Sequence, residues 1–128
     1  MKVLGICGSP REKSNTNYFL DFTLKKINEN GFNTKLIRLR EKEVTSCTGC
    51  YKCIEAKKCV INDDFHGIFD KMIEADGILL GSPVYHGSMT PNLKSLLDRL
   101  GFSGRWKANE MKKDYTWNGT PFSGKVGA

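Results

Sequence analysis

No long hydrophobic stretch interrupts this sequence. Apolar runs such as Ile78–Leu80 and Val3–Leu4 fall far short of the ~20 residues a helix needs to cross a bilayer. The opening Met1–Cys7 is too short and too soon interrupted for a secretory signal, so a cytoplasmic protein with no membrane association is expected. A sustained basic stripe is lacking too. The formal net charge is +6, yet the lysines and arginines are scattered, with short pairs at 25–26, 57–58 and 112–113 and no aromatics among them. Nucleic acid is therefore not an expected partner, while an acidic redox partner stays compatible with the charge. Internal repeats and low-complexity tracts are absent.

The 128 residues, 39% hydrophobic and 27% charged, suit one domain with a real core. Lys2–Cys7 reads as a buried parallel strand running into Gly8-Ser9-Pro10. After a polar loop, Leu20, Leu24 and Ile27 mark the inner face of a helix that Gly31 is placed to end. Thr34–Arg40 reads as a second strand. Asp63 or Asp64 can cap a second helix with Phe65, Ile68, Phe69, Met72 and Ile73 on its apolar face, broken at Asp76-Gly77. Ile78–Gly81 is a third strand. Thr90-Pro91 then opens a third helix, with a hydroxyl cap and proline at its first position. Leu93, Leu96, Leu97 and Leu100 form its stripe, and Gly101 is expected to close it. From Phe102 the periodicity fades around Trp106 and Trp117, and Gly124–Ala128 reads as the start of a fourth strand.

Strands alternating with amphipathic helices predict an α/β fold, a doubly wound parallel sheet whose ligands bind at the strands' carboxyl ends. The loops after Cys7 and after Gly81 should face one crevice. A flavodoxin-type domain needs about five strands, so a fragment, or a sheet completed by an oligomer, is expected.

Gly8-Ser9-Pro10-Arg11-x-x-Ser14-Asn15-Thr16 combines a strand end, a turn and a helix start, a junction that favours an anion. Ser9, Ser14, Asn15 and Thr16 add neutral donors, and Arg11 adds a fork for phosphate oxygens. The alternative, hydroxyls that only cap the helix, is about equally compatible with the composition. The loop is neither a Gly-Lys-Ser/Thr phosphate loop nor the Gly-x-Gly-x-x-Gly dinucleotide motif. Gly119–Val126 nearly spells a phosphate loop, but Val126 stands where a hydroxyl should and a strand follows. In Ser82-Pro83-Val84-Tyr85-His86-Gly87-Ser88 a planar heterocycle could lie against Tyr85. His86 is more readily a packing or hydrogen-bonding residue than an acid or base.

Cys47-x-x-Cys50-x-x-Cys53-x5-Cys59 is the strongest signal in the chain. Its first triplet is like that of bacterial ferredoxins, and a single such set favours one 4Fe–4S centre on all four. Zinc and bare thiols are the rivals. Zinc sites usually pair two separate Cys-x2-Cys knuckles, and this run cannot form two without sharing Cys50. Cys7, on a buried strand, reads as a small core residue.

Together, Gly8–Thr16, Gly81-Ser82-Pro83-Val84-Tyr85-His86-Gly87-Ser88-Met89 and the cysteine run between them resemble the iron–sulfur flavoprotein branch of the NADPH-dependent FMN reductase superfamily. The resemblance runs to about Arg99. It implies a flavodoxin-like fold over residues 1–128 with a cluster-binding insertion at 45–62, and the cofactors FMN and a 4Fe–4S cluster. It implies that Ser9, Arg11, Ser14, Asn15 and Thr16 hold the FMN phosphate. Pro83, Val84, Tyr85, His86 and Gly87 would then contact the isoalloxazine, and Cys47, Cys50, Cys53 and Cys59 ligate iron. It further implies a homodimer or homotetramer that relays electrons from a donor such as ferredoxin to an acceptor, with no catalytic acid or base required. The rival readings are an NAD(P)H-dependent FMN or quinone reductase without a cluster, and a non-catalytic flavin-binding electron carrier.

Overall fold

Four parallel strands carry the molecule: β1 (Lys2–Cys7), β2 (Asn33–Arg38), β3 (Gly77–Gly81) and β4 (Val126–Gly127). They lie in the order β2-β1-β3-β4. In this computed structural model residues 1–111 and 122–128 are described, with the backbone alone given for 102–111. The side chain of Trp106, Trp117 and the start of the phosphate-loop-like stretch at Gly119 therefore lie outside the described residues.

Gly5 of β1 stands opposite Leu36 on one side and Leu79 on the other, so β1 is a central strand. Its last four residues are all buried. Between β1 and β2 runs α1 (Asn15–Glu29), and α3 (Phe65–Glu74) leads into β3. Going from β1 to β2 the chain winds one way, and from β2 to β3 it winds back past β1. The reversal falls between β1 and β3, where open α/β sheets leave a crevice for ligands.

Alternation along β1 divides the core between two faces. Leu4 and Ile6 join Phe65, Ile68, Phe69 and Met72 of α3, and Leu93, Leu96 and Leu100 of α4 (Pro91–Met111), in one buried cluster. On the other face α1 presses close to the sheet. A methyl group on Gly5 would come within 2.6 Å of Leu24 Cδ1, so a larger residue there would force the Leu24 side chain to shift.

Three expectations need correction. β2 ends at Arg38, and Leu39–Glu41 turn as a short 3-10 helix, because Leu39 is buried in the main core and an extended course to Arg40 is given up to place it there. Gly101 does not close α4, which continues to Met111. An isolated glycine costs a helix only about 1 kcal/mol, too little to end one anchored by Leu93, Leu96 and Leu100. Thr90 does precede a helix with proline first, but its hydroxyl donates to Gly8 C=O at 2.7 Å.

Of the candidate caps before α3, Asp64 holds the N-cap position without a side-chain cap bond. It is the Asp63 carboxylate that accepts from Phe65 N–H, at 3.1 Å. β4 forms where expected and pairs parallel with β3. Among the described residues, no helix is long and apolar enough to cross a membrane.

Candidate flavin crevice and cysteine segment

β1 and β3 end side by side, and Gly8 N–H extends their pairing by donating to Gly81 C=O at 2.7 Å. The two loops that leave these ends line one crevice of about 370 Å³, formed by Ser9, Arg11, Lys13, Ser14, Asn15 and Thr16 from the first and Pro83, Val84 and Tyr85 from the second. The expected shared crevice is present, with a volume in the range of small-molecule sites. A larger groove of about 630 Å³ runs between α1 and β2 past Tyr18, Phe22 and Lys35. It is lined by the flank of a helix and an edge strand, with no strand carboxyl end opening into it.

The first loop is tightly constructed. A methyl group on Gly8 would meet Leu93 Cβ at 2.9 Å and Thr90 Oγ1 at 3.0 Å, so the chain turns here against the start of α4 without room for a side chain. Ser9 is buried, and its hydroxyl accepts from Arg11 N–H at 3.3 Å. Ser14 is the N-cap of α1, its hydroxyl accepting from Asn17 N–H at 3.1 Å. The capping reading of Ser14 is therefore correct, and it is compatible with a phosphate role, since the hydroxyl still has a proton to donate. The first two helical N–H groups, of Asn15 and Thr16, have no acceptor within the helix. With Arg11 and Lys13 beside them, the crevice is built for an anion.

The second loop is fixed from below. Ser82 Oγ donates to Pro83 C=O at 2.8 Å and accepts from Thr90 N–H at 3.0 Å. Tyr85 and Ser88 exchange two backbone hydrogen bonds, of 2.7 and 2.9 Å, around a two-residue turn. His86 and Gly87, its central residues, have φ of 47° and 79°, the positive pair of a type I′ hairpin turn. They form the exposed tip of the loop and are not among the crevice-lining residues, unlike Pro83, Val84 and Tyr85.

The cysteine segment begins and ends at one place. Thr45 N–H donates to Asp63 Oδ2 at 2.8 Å, Glu43 N–H to Asp64 Oδ2 at 2.9 Å, and Asp64 N–H to Glu43 C=O at 3.0 Å. From α4, Ser95 Oγ meets Ser46 Oγ at 2.8 Å. The Arg99 guanidinium reaches Thr45 C=O at 3.1 Å, Asp63 Oδ2 at 2.6 Å and Ile61 C=O at 3.3 Å. Both charged side chains are almost wholly buried, 1% and 3% exposed, and Arg99 Cζ lies 4.1 Å from the centre of the Phe65 ring. Burial by itself would raise the Asp63 carboxyl, but the bonds from Arg99, Thr45 and Phe65 outweigh it and hold the group below its ordinary value.

Between these fixed ends lies an open coil. Cys47 and Cys50 are exposed, while Cys53 and Cys59 are half-buried. Cys53 begins the single turn α2 (Cys53–Ala56), and Cys59 packs against the main core. Gly49, Tyr51 and Lys57 all take positive φ, of 63°, 56° and 55°. Among the described residues no three metal-ligating groups are gathered on one point, so the four sulfurs share a segment without converging.

The donor set nevertheless fits a thiolate-held cluster. Lys52 N–H and the Thr48 hydroxyl hydrogen-bond Cys50 and hold its thiol below the ordinary range, and left-handed residues in such a coil turn successive N–H groups toward an anionic centre.

A family model for NADPH-dependent FMN reductase matches residues 1–128. The chain belongs to that family. An iron-sulfur flavoprotein of Methanocaldococcus jannaschii is 50% identical over 99 residues, covering 77% of this chain and 51% of that protein. One from Methanosarcina thermophila is 40% identical over 99 residues, covering 77% and 52%. Among solved structures, a flavone reductase superposes with a TM-score of 0.64 at 28% identity, over 79% of this chain and 30% of that one. The chain spans about half the length of the curated relatives it matches.

For this FMN reductase family member, four residues that build the site carry no site role in the motifs as read. Lys13 lines the crevice, and its place between Arg11 and Ser14 was the available signal. Thr90 is buried beneath both loops. Arg99 and Asp63 meet across 36 positions, with only an arginine inside a leucine stripe to hint at a buried charge.

Proposed function

We propose that this chain is the FMN- and cluster-holding part of an oxidoreductase that passes electrons between a donor such as ferredoxin and an acceptor. It is one flavodoxin-like domain over residues 1–128, with a cluster-binding insertion at 45–62. FMN supplies exchange of one or two electrons when bound, and the 4Fe–4S cluster exchange of one. Ser9, Arg11, Ser14, Asn15 and Thr16, with Lys13, hold the phosphate, and Pro83, Val84 and Tyr85 line the isoalloxazine side, with His86 and Gly87 at the loop tip. Cys47, Cys50, Cys53 and Cys59 ligate the cluster. No residue need donate or accept a proton for the relay, and none is assigned that role.

The observation that carries this reading is the double attachment of α4. At its start, Thr90 bonds Gly8 of one crevice loop and Ser82 of the other. Two turns on, Ser95 and Arg99 fasten the segment that contains the four cysteines. Pro91 and Arg99 are about 12 Å apart along the axis, at 1.5 Å per residue. One rigid element thus supports both sites. The curated relatives named iron-sulfur flavoproteins support the cluster, and a homo-oligomer is proposed as the working form.

The test is steady-state turnover of the protein with both cofactors loaded. Reduced ferredoxin is expected to drive flavin reduction faster than NADPH does, with the ferredoxin rate lost on removal of the cluster. Equal rates with and without the cluster, driven by NADPH, favour the plain flavin reductase.

A further inference from the structure

β2 forms one edge of the sheet, since the strand order puts only β1 beside it. Asn33 N–H donates inward, to Met1 C=O at 3.0 Å. In a parallel ladder every second residue turns both backbone groups to the same neighbour. Asn33, Lys35 and Ile37 therefore serve β1, while Thr34 and Leu36 direct their N–H and C=O groups to the open side. Among the described residues no other strand lies there to take them.

Grooves flank this edge on both faces of the sheet. On the α1 side lies the one of about 630 Å³. There Tyr18 and Phe22, 67% and 50% exposed, stack with ring centres 6.4 Å apart, and exposed aromatic surface of this kind marks a contact site. On the α3 side lie two smaller grooves, of about 200 and 310 Å³, that share Lys35 and Lys71. Their acidic residues Glu41, Asp64 and Glu74 are already paired, with Arg40, Lys42 and Lys2. Lys71 donates to Gly67 C=O at 3.1 Å, and neither it nor Lys35 meets a carboxylate among the described residues.

We propose that this edge is a docking site for an extended segment of an acidic partner protein, which adds to β2 as a further strand. The segment's backbone bonds the outward groups of Thr34 and Leu36. Successive side chains of a strand enter opposite faces, so its apolar residues pack on Tyr18 and Phe22 while the intervening carboxylates meet Lys35 and Lys71. A second copy of this chain is the poorer occupant. Pairing β2 with β2 sets like charges at Lys35 and Arg38 along one interface, between two chains that each carry +6. The inference goes beyond the electron relay and depends on neither cofactor.

The experiment titrates the full chain with a synthetic peptide, acetyl-Glu-Val-Glu-Tyr-Glu-Val-Glu-amide, and with one of the same composition whose glutamates form a block. Calorimetry reads the affinity, and amide hydrogen exchange followed by nuclear magnetic resonance reads the place. The alternating peptide is expected to bind saturably and to slow exchange at Thr34 and Leu36, and the block peptide to bind about tenfold more weakly or not at all. Lys35→Glu and Lys71→Glu should each weaken binding about fivefold, and Phe22→Ala about tenfold. The alternating peptide with every amide N-methylated should not bind.

No binding, equal affinity for the block or N-methylated peptide, or binding that leaves Thr34 and Leu36 unprotected overturns the proposal. Parent affinity in all three folded variants does so too. Should a variant fail to fold, the three peptides decide on the parent protein. A chain that dimerises by itself and protects the same two amides assigns the edge to a second copy and overturns the acidic partner.

Discussion

Thr90 Oγ1 donates to Gly8 C=O at 2.7 Å across 82 residues of sequence, and the bond lies wholly inside the protein. It joins the residue that precedes α4 to the loop that follows β1. The same residue's N–H is held by Ser82 of the second loop. The two walls of the crevice are thus set relative to each other by one threonine.

Replacing it with valine keeps the shape and removes the donor. Gly8 C=O is then left without this buried partner, at a cost of about 1–3 kcal/mol. Thr90→Val should lower the urea midpoint accordingly and weaken FMN binding in a fluorescence titration, while Thr90→Ser retains most of both. Parent-like FMN affinity in Thr90→Val would show that the loops are held in place without it.

Arg11 and Lys13 form the cationic side of the crevice. A charge-assisted bond to phosphate contributes about 1.5–3 kcal/mol, so Arg11→Gln is expected to weaken FMN binding roughly tenfold or more. Riboflavin, which lacks the phosphate, should bind the variant and the parent alike. Calorimetry with both ligands checks this, and an equal loss for riboflavin contradicts a phosphate role.

The Asp63–Arg99 pair predicts a dependence on pH. Asp63 is held below its ordinary value of 3.8 by its hydrogen bonds. A carboxylate lowered on folding contributes stability that is complete above its unfolded value and is lost as the pH falls through the folded one. Removing one partner of such a buried pair costs about 3–5 kcal/mol. The difference in unfolding free energy between the parent and Asp63→Asn should therefore be constant from about pH 5 to 8 and shrink only below about pH 4. A gap that closes near neutrality contradicts the assignment.

Much of this architecture is legible in the chain itself. β1 and β3 are visible as short apolar runs ending at glycine, and α3 as a stripe of Phe65, Ile68, Phe69 and Met72, since burial on a strand or a helix face imposes its own period. The crevice follows from two loops at neighbouring strand ends. The end of α4 is not legible, because Gly101 is a weak local signal that packing overrides. Nor is the Arg99–Asp63 pair, since contacts across 36 residues leave no periodicity. The course of the coil between the four cysteines is equally hidden: the motif gives their order along the chain, while Tyr51 and Lys57 take left-handed backbone conformations, which composition alone would not place there.

A methyl group at Gly8 gives a simple check on the crevice's construction. With Leu93 Cβ at 2.9 Å and Thr90 Oγ1 at 3.0 Å, Gly8→Ala must displace backbone or the start of α4, at about 1–3 kcal/mol. Thermal unfolding should show the loss and flavin titration a weakened site. An unchanged melting temperature contradicts the tight turn.

The most direct measurement is the cofactor content of the folded protein prepared without oxygen. The account predicts one FMN with four irons and four acid-labile sulfides per chain, and loss of the iron and sulfide, but not of the flavin, in Cys50→Ala. Folded protein that binds flavin yet carries zinc or no metal on its cysteines contradicts it.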